Sequence, residues 1–275
     1  MKKRTIKSWI ISIGLLALVL VYLIPIMYLF MNSFKPYVEI MDSFIALPKQ
    51  FTFENYEKAW KALNFVQSGW NSLLMTIYTI VILLITTTMA AYQISRTKTK
   101  LSNFLNQFFT VPYLIPFFAI MIPVLQMAKN LGISNHLLGV SLVNVGVSGS
   151  FGMVMFIGAI KGIPRELDEA ASVDGCSKFG IYTKIILPLL KPAISSVTTV
   201  YALWTWNNFM LPFLLLTERS RQTLIIRVYD LFGMYGTDWE VVIASLILIS
   251  APIIILYAAF QKKITGGLTA GAVKG

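Results

Sequence analysis

Side chains able to do chemistry are few in this chain, and their spacing excludes most catalytic schemes. There is one histidine, His136, and one cysteine, Cys176. A lone histidine cannot assemble a metal cluster, and a lone cysteine cannot close an internal disulfide. The glycine-rich stretch from Gly146 to Gly152 lacks the lysine of a G-x-x-x-x-G-K-[ST] phosphate loop, so no nucleotide site is expected here. H-E-x-x-H and G-x-S-x-G are absent as well. The long apolar runs contain no Asp, Glu, Lys or Arg, which speaks against a proton or ion relay. Neither catalytic residues nor a metal site are therefore expected.

What remains is the charged passage RELDEAASVDGCSK, residues 165–178, set between two greasy runs. Pro164 suits a first helical position, where its missing N–H costs nothing. Glu166, Asp168 and Glu169 crowd the turns where the helix dipole favours negative charge. Gly175 stands where a left-handed C-terminal cap is wanted. The pattern predicts a short helix over residues 164–174, with Leu167, Ala170 and Ala171 at i, i+3 and i+4 on one small apolar face. A headgroup-floating helix would pair lysines with large apolar anchors. This one pairs acids with alanines, which fits a protein groove better. A second helix is expected to start near Ser177 and run straight into the next apolar run, with Pro188 near its membrane entry.

The elements that must position this passage follow from composition. Of 275 residues, 56% are hydrophobic and 13% charged, with mean hydropathy +0.71, against about 25% charged in soluble domains. Crossing a ~30 Å hydrocarbon layer takes roughly 20 apolar residues. Six uncharged runs qualify: Ser8 to Phe34, Ala62 to Ser95, Leu101 to Ala128, Asn130 to Ile160, Pro192 to Thr217 and Val241 to Gln261. They are too continuous for barrel strands, so the expected fold class is all-α, a polytopic membrane protein with six transmembrane helices. The first run follows Met1-Lys-Lys-Arg like a signal peptide, but it is too long for one and no A-x-A follows. It reads as an uncleaved span.

Alternating the six spans places fifteen basic and four acidic residues on the face shared by both termini. The opposite face carries eight of each. The whole excess of +11 thus lies on one side, as the positive-inside rule requires of a cytoplasmic face. A basic balance of this kind is topology in a lipid bilayer and gives no reason to expect nucleic acid.

Within the charged passage, Glu169-Ala170-Ala171, three residues, Gly175, nine residues and then Ile185-x-Leu187-Pro188 resembles the E-A-A-x3-G-x9-I-x-L-P loop of ABC importer permeases. The resemblance implies a type I ABC importer permease fold, in a bacterial-type plasma membrane with both termini cytoplasmic. It implies helices that dock into a cleft on a cytoplasmic ATPase subunit. Leu167, Glu169, Ala170, Ala171, Asp174, Gly175, Ile185, Leu187 and Pro188 would then be the ATPase-coupling residues. FTFENYEKAW, residues 51–60, and GGLTAGAVKG, residues 266–275, resemble the smaller permease subunit of maltose-type carbohydrate-uptake transporters. Implied partners are a second homologous permease, two ABC ATPase subunits that hold ATP and Mg, and an extracytoplasmic solute-binding protein. In that family the glycine-rich tail reaches between the ATPase subunits, although its four glycines equally suit a frayed end. Expected boundaries are 1–68 for the first span and an outer segment, 69–262 for the permease core with its loop at 164–188, and 263–275 for the tail.

The implied function is half of a translocation pathway for a carbohydrate, an oligosaccharide in particular, without enzymatic activity of its own. Alternatives are a polyol-like solute such as glycerol phosphate or a self-sufficient secondary transporter. YALWTWNNF, residues 201–209, offers Trp204 and Trp206 as flat faces and Asn207 and Asn208 as amides, which suit a sugar. Tryptophan near a span end suits the membrane interface equally well. Asn144 is a comparable polar candidate in the fourth run. Pro112, Pro116 and Pro123 at 0, +4 and +11 would line one side of the third helix. In the outer segment, Thr52 can cap a helix whose Phe53, Tyr56, Trp60 and Leu63 form a stripe on the membrane surface, close to where a binding protein would dock.

The charge count predicts that both termini face the cytoplasm. Cysteine replacements of Lys2 and Lys274, made one at a time with Cys176→Ser, should resist an impermeant thiol reagent in intact cells. Labelling of either from outside would break the six-span reading.

Overall fold

The computed structural model describes residues 6–233 and 237–272. Among them the chain is helical and contains no strand. Lys2, Lys3, Arg4, Lys274 and the last residues of the glycine-rich tail lie outside this range. In order the helices are α1 (Ile6–Asn32), α2 (Tyr37–Asp42), α3 (Glu54–Leu63), α4 (Phe65–Arg96), α5 (Lys100–Thr110), α6 (Phe117–Asn130) and α7 (Leu137–Lys161). After these come α8 (Glu166–Val173), α9 (Lys178–Ile181), a π-helical turn (Tyr182–Ile186) and α10 (Leu187–Leu189). The series ends with α11 (Lys191–Trp206), α12 (Met210–Leu215), α13 (Leu224–Tyr229) and α14 (Trp239–Ala272).

Among the described residues, three helices are long and apolar enough to cross a membrane by themselves: Ile11–Asn32 within α1, then α4 and α7. Two further candidates are bent pairs, so the count reaches five if each pair is one span, with Trp239–Ile255 a shorter apolar helix. The third expected span is not one helix. Lys100–Leu114 and Phe117–Asn130 meet at 110°. Ile115 is held extended (φ −90°, ψ 118°) ahead of Pro116, which begins the next helix without an N–H to donate. Pro112 and Pro116 therefore do not share a helix face with Pro123, and the expected proline line is absent. The fifth run breaks as well, because α11 ends at Trp206 and α12 restarts at Met210.

The chain forms two compact units, Met1–Phe65 with Arg227–Pro252 and Val66–Ile226 with Ile253–Gly275. In the first, α1 exposes large apolar side chains on every side, as a helix does in lipid or against a partner. The chain after it folds through buried polar contacts. The Asn55 side chain donates to the Ser33 and Lys35 carbonyls at 2.9 and 2.8 Å, and the Ser33 and Tyr56 hydroxyls pair at 2.6 Å. The Arg227 guanidinium, 5% exposed, donates to the Ala62 carbonyl at 2.7 Å near the C-terminus of α3, where a cation also meets the negative dipole end.

The buried side of α3 is Asn55, Ala59 and Leu63, at i, i+4 and i+8. Of the expected stripe only Leu63 is buried, while Phe53 and Trp60 stand exposed. Thr52 bonds the Glu54 N–H at 3.1 Å, but Phe53 holds the cap position. Exposed aromatics on this face still suit a membrane surface.

In the second unit, one core joins α4, α7, α8, α9 and α11 through Leu83, Phe156, Ile160, Ala171, Ile181, Ile186 and Tyr201. Another gathers Met75, Ala128, Val140, Leu211 and Leu215. Gly139 lets α7 approach the Ile133 carbonyl so closely that a Cβ would overlap it.

Asn55→Ala strips two buried carbonyls of their donor and should destabilise by roughly 1–3 kcal/mol. Glu54→Ala, which breaks an exposed pair with Lys58, should change little. Thermal unfolding of the detergent-purified protein should lower the midpoint for the first variant and leave the second near wild type.

Candidate functional site

The loop between α7 and α11 is built from short-range signals. Helix α8 begins at Glu166, because the Arg165 carbonyl accepts from Asp168 and Glu169 N–H at 2.9 and 3.1 Å. Pro164 therefore precedes the helix instead of opening it. Glu166, Asp168 and Glu169 occupy its first turn. At the other end the Cys176 N–H bonds the Ala171 carbonyl (2.9 Å) and the Gly175 N–H bonds that of Ser172 (3.1 Å). With Gly175 at φ +82°, this is the paired-bond glycine stop of a Schellman motif. No atom lies within 4 Å of where a Gly175 Cβ would stand, so backbone conformation is what asks for glycine. Cys176 and Ala171 both pack into the adjacent core, the apolar contact that accompanies such stops.

The faces of α8 differ from the expected arrangement. Ala171 is 5% exposed and packs into the core with Ile181 and Ile186, whereas Leu167 and Ala170 stay exposed. Asp168, three residues before it, turns inward too. The outward face carries Glu166, Glu169, Ala170 and Val173, with Leu167 at its margin and Asp174 exposed beyond the last turn. Val173 is 88% exposed. The face is shallow and mixed, acidic at one end and small and apolar at the other.

Asp168 meets a partner that sequence reading missed. Its carboxylate receives Arg96 Nε at 2.8 Å and Nη2 at 3.2 Å, with the two side chains only 16% and 13% exposed. Arg96 also donates to the Ile163 carbonyl at 3.2 Å, and Arg165 donates to the Ser95 carbonyl at 3.0 Å. The Tyr92 hydroxyl reaches Asp168 at 3.4 Å. Two arginines thus staple the ends of α4 and α8 together. Arg96 was legible only as one of the cytoplasmic positive charges, since its partner lies 72 positions away.

Beyond Gly175 the expected straight helix is broken. Ser177 caps α9, its hydroxyl accepting from the Gly180 N–H at 3.1 Å. Next come the π turn and α10, and Lys178–Leu189 meets α11 at 72°. Pro188 has no N–H for a carbonyl one turn back, and the π turn accommodates this by bonding the Leu187 N–H to the Tyr182 carbonyl. Ile185 packs against the core. Leu187 and Pro188 line an apolar groove of about 390 Å³ with Leu84, Thr88, Tyr182 and Lys191.

Among the pathway candidates, the structure joins Asn144 to Asn208. The Asn208 amide donates to Asn144 Oδ1 at 3.2 Å, and the Asn144 amide donates to Thr205 Oγ1 at 3.4 Å. Asn144 is 6% exposed. Trp204 meets Phe151 at a tilt (5.0 Å between centroids) and Tyr201 edge-on (5.5 Å), and Tyr113 extends the group through Phe151. Trp206 lies two residues on, so it projects to the opposite side of α11 from Trp204. The Asn207 amide is turned back onto the Leu203 carbonyl at 2.9 Å. Tyr113, Phe151 and Trp204 form a partly exposed aromatic shelf, and Thr205, next to Trp204 in α11, accepts from the buried Asn144 of the amide pair.

Residues 83–266 match the family described as "Binding-protein-dependent transport system inner membrane component". The chain is 34% identical over its full length, and the full length of the relative, to the probable starch degradation products transport system permease protein AmyC of Thermoanaerobacterium thermosulfurigenes. It is 36% identical, over 92% of each chain, to the multiple sugar-binding transport system permease protein MsmG of Streptococcus mutans. A chain in the crystal structure of a bacterial ABC transporter importing the acidic polysaccharide alginate shares the fold, with TM-score 0.80 at 22% identity over 95% of this chain and 99% of that one.

Gly175→Ala forces a side chain into the left-handed region at a cost of roughly 1–2 kcal/mol. The exchange rates of the Gly175 and Cys176 amide protons should rise by about tenfold at 1.4 kcal/mol, while those in α4 stay unchanged. Unchanged exchange at both amides would show that the glycine stop does not hold α8.

Proposed function

We infer the role of this chain from its membership: it belongs to the binding-protein-dependent transport system inner membrane component family. It is a transport component of an ATP-binding-cassette importer, not an enzyme, and a self-sufficient secondary transporter is set aside. The solute we propose is a carbohydrate, an oligosaccharide in particular. The support is the naming of AmyC and MsmG for starch degradation products and multiple sugars, together with the aromatic shelf beside Asn144 and Asn208. These features favour a sugar over a polyol phosphate.

In this reading six membrane crossings leave both termini in the cytoplasm, the two bent pairs and Trp239–Ile255 supplying the third, fifth and sixth. The chain forms half of a pathway with a second, related permease. An extracytoplasmic binding protein delivers the solute. Two ATPase subunits hold ATP and Mg, the chemistry that drives the cycle, and this chain supplies the surface on which one of them acts.

The observation that carries the assignment of that surface is α8. It presents an exposed line of Glu166, Glu169, Ala170 and Val173, closed by Gly175 and backed by Ala171 in the core. Glu169 is exposed and outward, so reversing its charge changes the docking face without disturbing the interior.

Glu169→Lys and Gly175→Asp should reach the membrane at wild-type level. They should lose the ATPase subunit or its stimulation by loaded binding protein, and lower sugar uptake at least tenfold. Uptake, ATPase activity and co-purification measured in one series decide this. Wild-type transport with the ATPase retained in both variants would remove the loop from coupling.

A further inference from the structure

We propose that the Arg96–Asp168 ion pair is a strut that carries displacement of α8 into α4, which makes Arg96 a positioning residue for coupling. The inference rests on α8 being the docking element.

Helix α8 has eight residues, far fewer than a helix needs to hold itself in water. Its only buried apolar side chain is Ala171, which secures little apolar area. Its orientation depends on attachments, and these converge on the last turn of α4. Arg96 engages both oxygens of Asp168 in a bidentate fork and also binds the Ile163 carbonyl. It therefore grips the chain before α8 and the first turn of α8 at once. Arg165 closes the reverse contact onto the Ser95 carbonyl. Arg96 at the C-terminal end of α4 is also where that helix favours a cation.

Three routes lead from α8 into the rest of the chain. The two covalent ones pass back through the non-helical residues 162–165 into α7, and forward through Gly175, the π turn and a 72° bend before α11. Each of these is a place where a push is absorbed by rotation. The other route crosses the ion pair into α4, which runs 32 residues without a break. A stiff element joined by a two-point fork transmits displacement better than a hinged one. Partial burial keeps the pair from being screened by salt. A Lys at 96 would supply one point charge in place of the fork.

The test measures rigidity directly. In the complete transporter, with Cys176→Ser, spin labels at Val173→Cys and Met89→Cys report the distance from α8 to α4. It is measured at rest and after trapping with ATP, Mg²⁺ and vanadate. The strut requires one narrow distance in both states for the otherwise native chain. In Arg96→Gln and Asp168→Asn the distribution should shift and broaden only on trapping, with Arg96→Lys intermediate. Arg96→Asp combined with Asp168→Arg should restore a narrow one. An unchanged distance in both single variants overturns the strut, as does a shift in the native chain or no recovery in the exchanged pair. If Arg96→Gln fails to assemble, Asp168→Asn and the exchanged pair decide. A separate arm crosslinks Val173→Cys to the ATPase subunit. Its failure would remove α8 as the docking element, whereas crosslinking with an unchanged distance would remove only the strut.

Discussion

A peptide group in hydrocarbon has no water to bond, so every interruption of a helix must be repaired from within the protein. That constraint organises much of this chain. In α4, an apolar helix rich in Ser and Thr, the hydroxyls of Ser72, Thr76 and Thr87 bond carbonyls one turn back. Helices α11 and α12 are separated by a break, and the chain after α12 is tied off by Asn135. Its side chain accepts from the Thr217 and Glu218 N–H groups at 2.7 and 3.0 Å, while its own N–H bonds the Leu215 carbonyl at 2.8 Å. The asparagine stands at φ +59°, a conformation this residue type tolerates.

The same constraint explains what was legible in the sequence. Capping and dipole signals act over a few residues. The acidic first turn, the Gly175 stop and the helix start near Ser177 could therefore be read directly, and the structure shows each. Apolar runs gave the membrane class but not the continuity of individual helices. A proline such as Pro123 sits inside α6, whereas Pro116 ends one helix and starts another. What separates them is the extended Ile115 before Pro116, a tertiary outcome that composition does not carry. The face of α8 was misread for a related reason. Asp168 looked like a dipole acid and Ala171 like surface, until Arg96 and the core drew both inward.

Polar residues in the candidate pathway show the limit differently. Asn144 and Asn208 were recognisable as costly amides in an apolar chain, but not as partners for each other. Their pairing satisfies each with the other and with Thr205, so burial does not leave them orphaned. An incoming hydroxyl would have to offer at least what they already have. The shelf of Phe151 and Trp204 went unseen because Phe151 lies in an unremarkable glycine-rich stretch. Only packing between α7 and α11 gives it a role.

The π turn at Tyr182–Ile186 has a consequence for how this loop can vary between relatives. A π turn is geometrically an α-helix that has taken in one extra residue without breaking. Removing one residue between Gly175 and Pro188 would favour ordinary α-helix, and would take away the accommodation that the π turn gives Pro188. A second cost would be azimuthal. Everything on the Gly175 side would rotate by about a quarter turn or more around the axis, swinging the outward face of α8 aside and pulling Asp168 off Arg96. Substitutions along the segment are thus cheaper than insertions or deletions. The nine-residue interval is a ruler as much as a sequence.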